Sequence, residues 1–248
     1  MLEKMSMIRP GVYIYKEPRE CAIVVPIRSF TYAKTRVDPN PSVLKASMIS
    51  QAAGAVVEAA RAYPTFVLTK DNVVTTWAHE RGTKVITEQG RGLNAELNYA
   101  GNFLQNHGFT RMVIALADVP LVSSFDIEQA ASAPSFLIVS DRSQNGTNLL
   151  GLELPIKIAL CFGPQSFASH LSEISRAKGE VEVITSSYAC YDLDTPADIE
   201  ALVAVLNGNN DGLSPMTLAR LGVLLASATS LTSNDGLKGN QFGTKGEI

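Results

Sequence analysis

Short apolar runs alternate with longer amphipathic stretches along residues 22–206, and this alternation predicts an α/β fold. The run at residues 22–25 ends at Pro26 and is typical of a strand buried on both faces of a parallel sheet. A run at residues 112–116 gives the clearest strand of the chain. Because a helical pattern follows most of these runs, we expect βαβ units with right-handed crossovers and a mostly parallel sheet.

The predicted elements end where proline, glycine or a capping side chain interrupts the pattern. Strands are expected at residues 22–25, 65–69, 83–87, 112–116, 136–139, 149–154 and either 181–184 or 190–192. Helices are expected from a cap at Ser42 to residue 63, from Asp71 to Gly82, at 93–107, from Ser123 or Ser124, at 166–178 and at 195–206.

The composition of the two ends differs from that of the middle. Residues 1–20 are mixed and polar, and we interpret them as an N-terminal extension. Residues 208–212 resemble a linker, residues 214–225 suit one amphipathic helix, and the stretch from Ser233 has a composition typical of a flexible tail. The sequence therefore predicts one domain at residues 21–207, with extensions at 1–20 and 208–248.

Charge and hydropathy exclude several classes of protein. The 248 residues include 21 basic and 24 acidic side chains, a net charge of −3, which excludes a generally basic nucleic-acid-binding surface. A hydrophobic fraction of 46% excludes a disordered chain. Because no run of about 18 uncharged apolar residues occurs, no membrane-spanning helix is expected.

The cysteines give no sign of a redox or zinc motif. Cys21, Cys161 and Cys190 are widely spaced, none belongs to a CxxC unit, and each lies in an apolar setting that favours an inert thiol. The first ten residues lack the apolar segment of a signal peptide, so we expect a reducing, cytoplasmic location.

Basic residues follow the first buried strand, where an open α/β sheet binds its ligands. Arg28, Lys34 and Arg36 lie within nine residues of one another and suit a polyphosphate, although cations are also common in surface loops. Neither of the glycine-rich phosphate-binding motifs G-x-G-x-x-G and G-x-x-x-x-G-K-[ST] is present here. Phosphate binding would therefore depend on side-chain cations and local amides. The glycine-rich turn at residues 90–94 suits close approach to a nucleotide.

Three aspartates are candidates for a magnesium site. Asp118 follows the 112–116 strand and is either a metal ligand or an ordinary turn residue. Asp192 and Asp194 would project from the same face of a predicted strand and repel each other unless a cation lies between them. Asp198 follows Thr195 at the spacing of a capping box, which assigns it to the start of a helix.

Two small-residue loops, at residues 145–148 and 162–166, suit anion binding at a helix N-terminus. Ser166 is also compatible with an ordinary N-cap. His79 and His107 lie near helix ends, where a favourable dipole contact is expected. His170 lies one turn after Ser166, where it either packs in the core or faces the same pocket.

Six motifs in order, spanning about residues 22–205, resemble the phospholactate guanylyltransferases of deazaflavin coenzyme F(420) biosynthesis. The motifs are Pro26-x-Arg28 with Ala33-Lys34-x-Arg36, Gly92-Leu93-Asn94, Ala117-Asp118-Val119-Pro120, Asp141-Arg142 with Gly146-Thr147-Asn148, Phe162-Gly163-Pro164-x-Ser166-Phe167, and Asp192-Leu193-Asp194-Thr195-Pro196-x-Asp198. Arg28 stands where the family resemblance leads us to expect lysine, so a planar guanidinium replaces the compact ammonium group.

The resemblance implies a single Rossmann-like, GT-A-like nucleotidyltransferase domain. Its reaction would transfer GMP from GTP to 2-phospho-L-lactate, phosphoenolpyruvate or 3-phospho-D-glycerate and release pyrophosphate. By the same resemblance, Asp118, Asp192 and Asp194 would hold Mg²⁺ and act in catalysis together with Lys34. Thr147, Gly163 and Ser166 would bind the phosphoacid. The nucleotide would contact Pro26, Arg28, Lys34, Arg36, Gly92, Leu93 and Asn94.

The expected partners are GTP, a small phosphoacid and the downstream transferase that accepts the guanylylated product. No nucleic-acid or membrane partner is expected, and a homodimer stays open. Two alternatives also stay open. One is another nucleotidyltransferase, of the sugar-phosphate or molybdenum-cofactor type, although those enzymes begin with a glycine-rich loop that is missing here. The other is a non-catalytic nucleotide-binding protein, which the intact trio of aspartates disfavours.

Overall fold

A computed structural model describes residues 5–9, 12–15, 19–30, 43–185, 187–208, 213 and 215–235. The strands within these residues are β1 (Met5–Arg9), β2 (Val12–Tyr15), β3 (Arg19–Pro26), β4 (Thr65–Thr69), β5 (Lys84–Thr87), β6 (Phe109–Ala115), β7 (Phe136–Ser140), β8 (Thr147–Glu153) and β9 (Val181–Ile184). The helices are α1 (Val43–Ala59), α2 (Asn72–Glu80), α3 (Leu93–Asn106), α4 (Ser124–Ser132), α5 (Ser166–Arg176), α6 (Pro196–Asn207) and α7 (Pro215–Asp235), with a short 3-10 helix at Tyr188–Cys190.

Seven of the strands form one sheet in the order β5-β4-β3-β6-β8-β7-β9. All neighbouring pairs are parallel except those of β8, which runs antiparallel to both β6 and β7. The predicted α/β fold with a mostly parallel sheet is therefore confirmed. The reversal of β8 was not predicted, and it brings Thr147 opposite Ser140, the last residue of β7. As a result, the first residues of β8 lie at the edge where the parallel strands end.

The sheet is buried between two layers of helices, each of which covers one face. Alternate residues of β3 point to opposite faces, with Ile23 and Val25 in one apolar cluster and Ala22 and Val24 in the other. Helices α1, α2, α4, α6 and α7 contribute to the first cluster, whereas α3 and α5 contribute to the second. All four of these β3 residues are fully buried, as the uninterrupted apolar run predicts.

Local capping explains several helix boundaries. The Asp71 carboxylate accepts hydrogen bonds from the N–H groups of Val73 (2.8 Å) and Val74 (3.2 Å) at the start of α2. Ser123 forms a capping box with Asp126 at the start of α4. The predicted capping by Asp198 is confirmed, because its carboxylate accepts the backbone N–H of Thr195 at 2.8 Å.

The structure corrects four sequence predictions. Helix α1 ends at Ala59, because residues 60–63 form a turn rather than continuing the helix. Of the two predicted positions of the last strand, 181–184 is confirmed by β9 (Val181–Ile184) and 190–192 is wrong, since residues 191–195 are irregular. Two strands, β1 and β2, form an antiparallel hairpin within the predicted polar extension.

The fourth correction concerns the predicted amphipathic helix near the C-terminus, which is longer than expected. Helix α7 extends to Asp235 and packs against α1 and α6. The predicted N-cap at Ser42 lies outside the described residues. No helix in the described part of the chain is both long and apolar enough to cross a membrane.

Candidate active site

Two adjoining cavities lie at the edge where the parallel strands end. The first, of about 470 Å³, is beyond β3, β4 and β5, and we call it the β3–β5 cavity. The second, of about 510 Å³, lies beyond the end of β7 and the start of β8, and we call it the β7–β8 cavity. Leu93, Leu116 and Asp118 line both cavities, so the two spaces meet at Asp118.

Most of the predicted site residues lie on these two cavities. The β3–β5 cavity is lined by Pro26, Arg28, Gly92 and Leu93 from the predicted nucleotide-binding set. The β7–β8 cavity is lined by Thr147, Gly163, Ser166, Asp192 and Asp194. Lys34 and Arg36 lie outside the described residues. Asn94 lines neither cavity.

Asp192 and Asp194 reach the same cavity for a reason other than the predicted strand. They flank Leu193, which is fully buried in the apolar cluster on one face of the sheet. The side-chain amide of Asn148 donates to the carbonyl of Ala189 at 2.9 Å and ties this segment to β8. The buried leucine therefore anchors the loop and leaves both carboxylates at the cavity.

The carboxylates at this cavity repel one another. Burial, followed by the nearby charges of Asp118 and Asp194, raises the pKa of Asp192 to about 7. Within the described residues, no group of three or more His, Cys, Asp or Glu side chains is arranged to hold a metal ion. The three aspartates face one space without forming a closed cage. Such an open set suits Mg²⁺, which commonly combines a few carboxylates with water and phosphate oxygens.

His170 fixes the hydrogen bonding of Thr147. The backbone N–H of Cys161 donates to His170 Nε2 at 2.9 Å, so Nε2 carries no proton. The proton of the neutral ring is then on Nδ1, which lies 3.0 Å from Thr147 Oγ1 and donates to it. Burial lowers the pKa of His170 to about 4, in keeping with a neutral ring at pH 7. The Thr147 hydroxyl hydrogen is thereby left to point to another acceptor.

The loop at residues 161–166 is held from two sides. The Asn94 amide donates to the carbonyl of Phe162 (3.0 Å) and accepts its N–H (2.8 Å). This bidentate contact ties the start of α3 to the 161–166 loop, and the nucleotide contact predicted for Asn94 stays a prediction. Gly163 has φ +133°, a conformation that side chains other than glycine rarely adopt. Gln165, rather than Ser166, precedes α5 as its N-cap.

Several further charged residues line the cavities and were not singled out from the sequence as binding residues, and three of them are Lys70, Glu88 and Arg142. Lys70 and Glu88 lie on the β3–β5 cavity, directly after β4 and β5. Arg142 lies on the β7–β8 cavity and is the only Lys or Arg among the described residues that line it. Lys70 and Glu88 directly follow a strand and Arg142 lies two residues after β7, so their position near a strand end was a usable signal for all three. Neither cavity is lined by a histidine of the described residues.

A cavity of about 790 Å³ lies at the opposite edge of the sheet, near the first residues of β4 and β5. None of the predicted site residues that the structure describes lines it. Its volume exceeds that of either cavity described above, but its chemistry is different, since the only carboxylate among its described lining residues is that of Glu58. The strand-end cavities are therefore the better candidate for catalysis.

Sequence comparisons relate this chain to one protein family and to named guanylyltransferases. Residues 21–227 match the protein family described as "Guanylyl transferase CofC like". The 2-phospho-L-lactate guanylyltransferase of Methanothermobacter thermautotrophicus is 32% identical over 194 residues, which cover 75% of this chain and 84% of that one. The phosphoenolpyruvate guanylyltransferase of Rubrobacter xylanophilus is 31% identical over 192 residues, which cover 73% and 92% of the two chains.

Solved structures show the same fold at low sequence identity. A protein from Desulfovibrio desulfuricans G20, described as a nucleotide-diphospho-sugar transferase, has a TM-score of 0.64 at 16% identity and covers 85% of this chain and 97% of its own. A cytidylyltransferase from Leptospira borgpetersenii has a TM-score of 0.51 at 14% identity, with 92% and 100% of the two chains covered. At these identities the likeness concerns the fold alone.

Proposed function

This chain belongs to the family of CofC-like guanylyl transferases, and from that premise we propose that it transfers GMP from GTP to a small phosphorylated carboxylic acid. The acceptor classes are those of its relatives, 2-phospho-L-lactate and phosphoenolpyruvate, together with 3-phospho-D-glycerate. The observation that carries the proposal is the pair of adjoining cavities that meet at Asp118. Two anionic substrates can bind side by side there with carboxylates between them.

GTP is proposed to occupy the β3–β5 cavity. Arg28 is exposed two residues after β3 and can offset the charge of the leaving pyrophosphate. Gly92, at φ +94°, has open space around the position of a Cβ, so a phosphate can approach its backbone closely. Lys34 and Arg36 complete the cationic set proposed from the sequence.

The phosphoacid is proposed to occupy the β7–β8 cavity. Thr147 and Ser166 are buried there and offer hydroxyl groups to a phosphate. The backbone of Gly163 lies beside them, and Arg142 supplies a planar guanidinium suited to a carboxylate. The Arg142 guanidinium lies 5.2 Å from the Tyr191 ring centroid and 3.5 Å from Asp198, so its position is supported on two sides.

Asp118, Asp192 and Asp194 are the residues that would hold Mg²⁺. When bound, the ion supplies charge neutralisation and alignment of phosphate oxygens. The raised pKa of Asp192 supports this assignment, because a buried carboxylate beside two others favours a cation. Lys34 is proposed to assist as a further catalytic cation.

The proposed reaction is an in-line displacement at the α-phosphorus of GTP. A phosphate oxygen of the acceptor forms the new P–O bond, and the bond to the β-phosphate breaks, with its electron pair leaving on pyrophosphate. A phosphate monoester is mostly dianionic near pH 7, since its second pKa is about 6. The acceptor therefore needs no general base. The enzyme contributes mainly orientation and charge stabilisation.

The product would be a phosphoanhydride that joins GMP to the acceptor. A downstream transferase that displaces GMP is the expected consumer, in deazaflavin coenzyme biosynthesis. We propose a cytoplasmic location, where GTP is available.

The direct test measures pyrophosphate release from GTP and Mg²⁺ with each of the three acceptors, with acceptor-free and ATP reactions as controls. We expect release that depends on both GTP and one phosphoacid. Its absence with all three acceptors would contradict the proposed function.

Replacing Asp192 or Asp194 by Asn should reduce kcat by at least about 100-fold, the order expected when a key electrostatic contact is lost. Because Asp192→Asn also removes a repelling charge, it should retain or increase thermal stability, which separates lost chemistry from lost folding. Glu200→Gln, which changes an exposed side chain of the following helix α6, is the matched control. Unchanged turnover in both aspartate variants would contradict their assignment.

A further inference from the structure

Two charged side chains at the far end of the β3–β5 cavity have no task in the reaction described above. Glu88 directly follows β5, the edge strand, and Lys70 directly follows its neighbour β4. The backbone N–H of Glu88 donates to the carbonyl of Thr69 at 3.0 Å. This hydrogen bond continues the pairing of β4 and β5 beyond their ends. It therefore holds Glu88 beside Lys70.

The loop that follows Glu88 is rigidly held. Glu96 is 1% exposed, and its carboxylate accepts the N–H groups of Gln89 (3.0 Å) and Arg91 (2.9 Å). Gly90 lies between these two residues at φ +81°, and a Cβ added there would be 3.3 Å from Lys70 Nζ. The loop thus leaves a surface without a side chain next to the ammonium group. A flat aromatic ring fits such a surface.

The Glu88 carboxylate is available for a ligand. No hydrogen bond between described residues uses it, and it is partly buried. Burial, with Glu96 nearby, raises the pKa of Glu88, while Lys70 and Arg28 oppose this effect. A donor from a bound ligand would stabilise its charged form.

The strand order sets the distance between this pair and the reacting phosphate. The sheet runs β5, β4, β3, β6, so Glu88 and Asp118 follow strands that are three positions apart. At about 4.8 Å between neighbouring strands, this separation is about 14 Å. If the α-phosphate lies near Asp118, the base at the other end of the nucleotide reaches the ends of β4 and β5.

We propose that Glu88 and Lys70 read the guanine base, an inference that rests on the proposed function. Guanine presents N1–H and an N2 amino group side by side, and the two oxygens of a carboxylate can accept both. Its O6 and N7 are acceptors that suit the Lys70 ammonium. Adenine has an acceptor at N1 and a donor at position 6, so both contacts would become unfavourable.

The test exchanges one atom of the carboxylate. In Glu88→Gln, the amide oxygen still accepts from N1–H, but the amide nitrogen now faces the N2 amino group as a second donor. Xanthosine triphosphate has a carbonyl at that position and restores the match. We expect kcat/KM for GTP to fall about 5- to 150-fold, the range for loss of a bidentate base contact, and the preference to shift towards xanthosine triphosphate.

A second variant keeps the inference testable if Glu88→Gln is poorly folded. Inosine triphosphate lacks only the N2 amino group, so the wild-type enzyme should prefer GTP over it. In Glu88→Ala this preference should shrink towards a ratio of one, whereas Glu182→Gln, an exposed change on the opposite edge strand, should preserve it. Pyrophosphate release with one fixed phosphoacid is the measurement.

Base reading by Glu88 would be overturned by two results together. In Glu88→Gln, turnover of GTP and of xanthosine triphosphate would fall equally, and in Glu88→Ala the preference for GTP over inosine triphosphate would be unchanged. Wild-type selectivity in both variants would overturn it as well. These results differ from failure of the proposed function, in which the wild-type enzyme itself would release no pyrophosphate from GTP with any acceptor.

Discussion

At the scale of single residues, His170 shows how a buried histidine can serve a site without entering it. Both ring nitrogens are used inside the protein, one by Cys161 and the other by Thr147. The ring is fully buried and packs edge-on against Phe162, with centroids 4.8 Å apart. His170 is therefore a positioning residue that links the 161–163 loop to the start of β8.

His170→Phe should remove both hydrogen bonds and retain the ring volume. Because Thr147 and the 161–163 loop line the proposed phosphoacid cavity, we expect KM for the phosphoacid to rise about 5- to 150-fold, while KM for GTP changes little. Initial rates over both substrate concentrations test this. Equal increases in the two KM values would contradict the assignment.

The same variant should change the acid sensitivity of the fold. The pKa of His170 is about 4 in the folded protein and about 6.5 when unfolded, so the unfolded state binds more protons between these values. Stability from the neutral ring is complete above pH 6.5 and is lost as pH falls towards 4, by about 2 kcal/mol at pH 5. Denaturant unfolding of wild type and His170→Phe at pH 7.5 and pH 5 should show this loss in the wild type only.

At the scale of elements, the reversed strand β8 determines the site. Because β8 runs antiparallel to β6 and β7, its first residue, Thr147, lies at the edge where those two strands end. Gly151 explains how β8 packs there, since a Cβ would lie 2.5 Å from the carbonyl of Ala130 and 2.9 Å from Arg111 Nη2. Arg111 also donates from Nε to the Ala130 carbonyl at 2.9 Å, so this contact leaves no room for a larger residue.

Helix α7 is a second element with a role that can be measured, because it completes one apolar layer. Leu224 is 2% exposed, whereas Val223 on the same helix is 59% exposed. Leu224→Ala should lower the free energy of unfolding by about 2–5 kcal/mol, and Val223→Ala by no more than about 0.5 kcal/mol. Urea unfolding monitored by circular dichroism tests the difference, and equal effects would show that α7 is not part of the cooperative core.

At the scale of the whole molecule, the sheet arranges the proposed functions in a line. The ends of β5 and β4 carry Glu88 and Lys70, the end of β3 carries Arg28, and Asp118 follows β6. The β7–β8 cavity continues this line on the other side of Asp118. A nucleotide and an acceptor can therefore be bound together along one edge, with their reacting groups adjacent at Asp118.

Because the two substrates are proposed to occupy different cavities, they should bind at the same time and their effects on thermal stability should add. A non-reacting α,β-methylene analogue of GTP at 100 times its Kd should add about 2.7 kcal/mol, which is about 5–11 °C in Tm. The phosphoacid should then raise Tm further in the presence of Mg²⁺. Thermal unfolding with each ligand and with both measures this, and mutual displacement would contradict the two-cavity arrangement.

The sequence by itself determined the order of the helices and of the strands from β3 onward, the capping by Asp71 and Asp198, and the loops at or next to Asp118, Thr147 and Gly163. These features depend on side-chain periodicity and on contacts within a few residues, which a single sequence displays. The motifs for the candidate site were visible for the same reason.

Only the tertiary structure decided which strand is antiparallel to its neighbours and why Asp192 and Asp194 line the same cavity. It also decided what Asn94, His170 and Glu88 contact. Asn94 bonds to Phe162, which is 68 positions away, and His170 joins Thr147 to Cys161. Asp192 and Asp194 share a cavity because Leu193 is buried between them, not because a strand alternates. Such contacts depend on how distant segments pack against one another, and local periodicity carries no information about that packing.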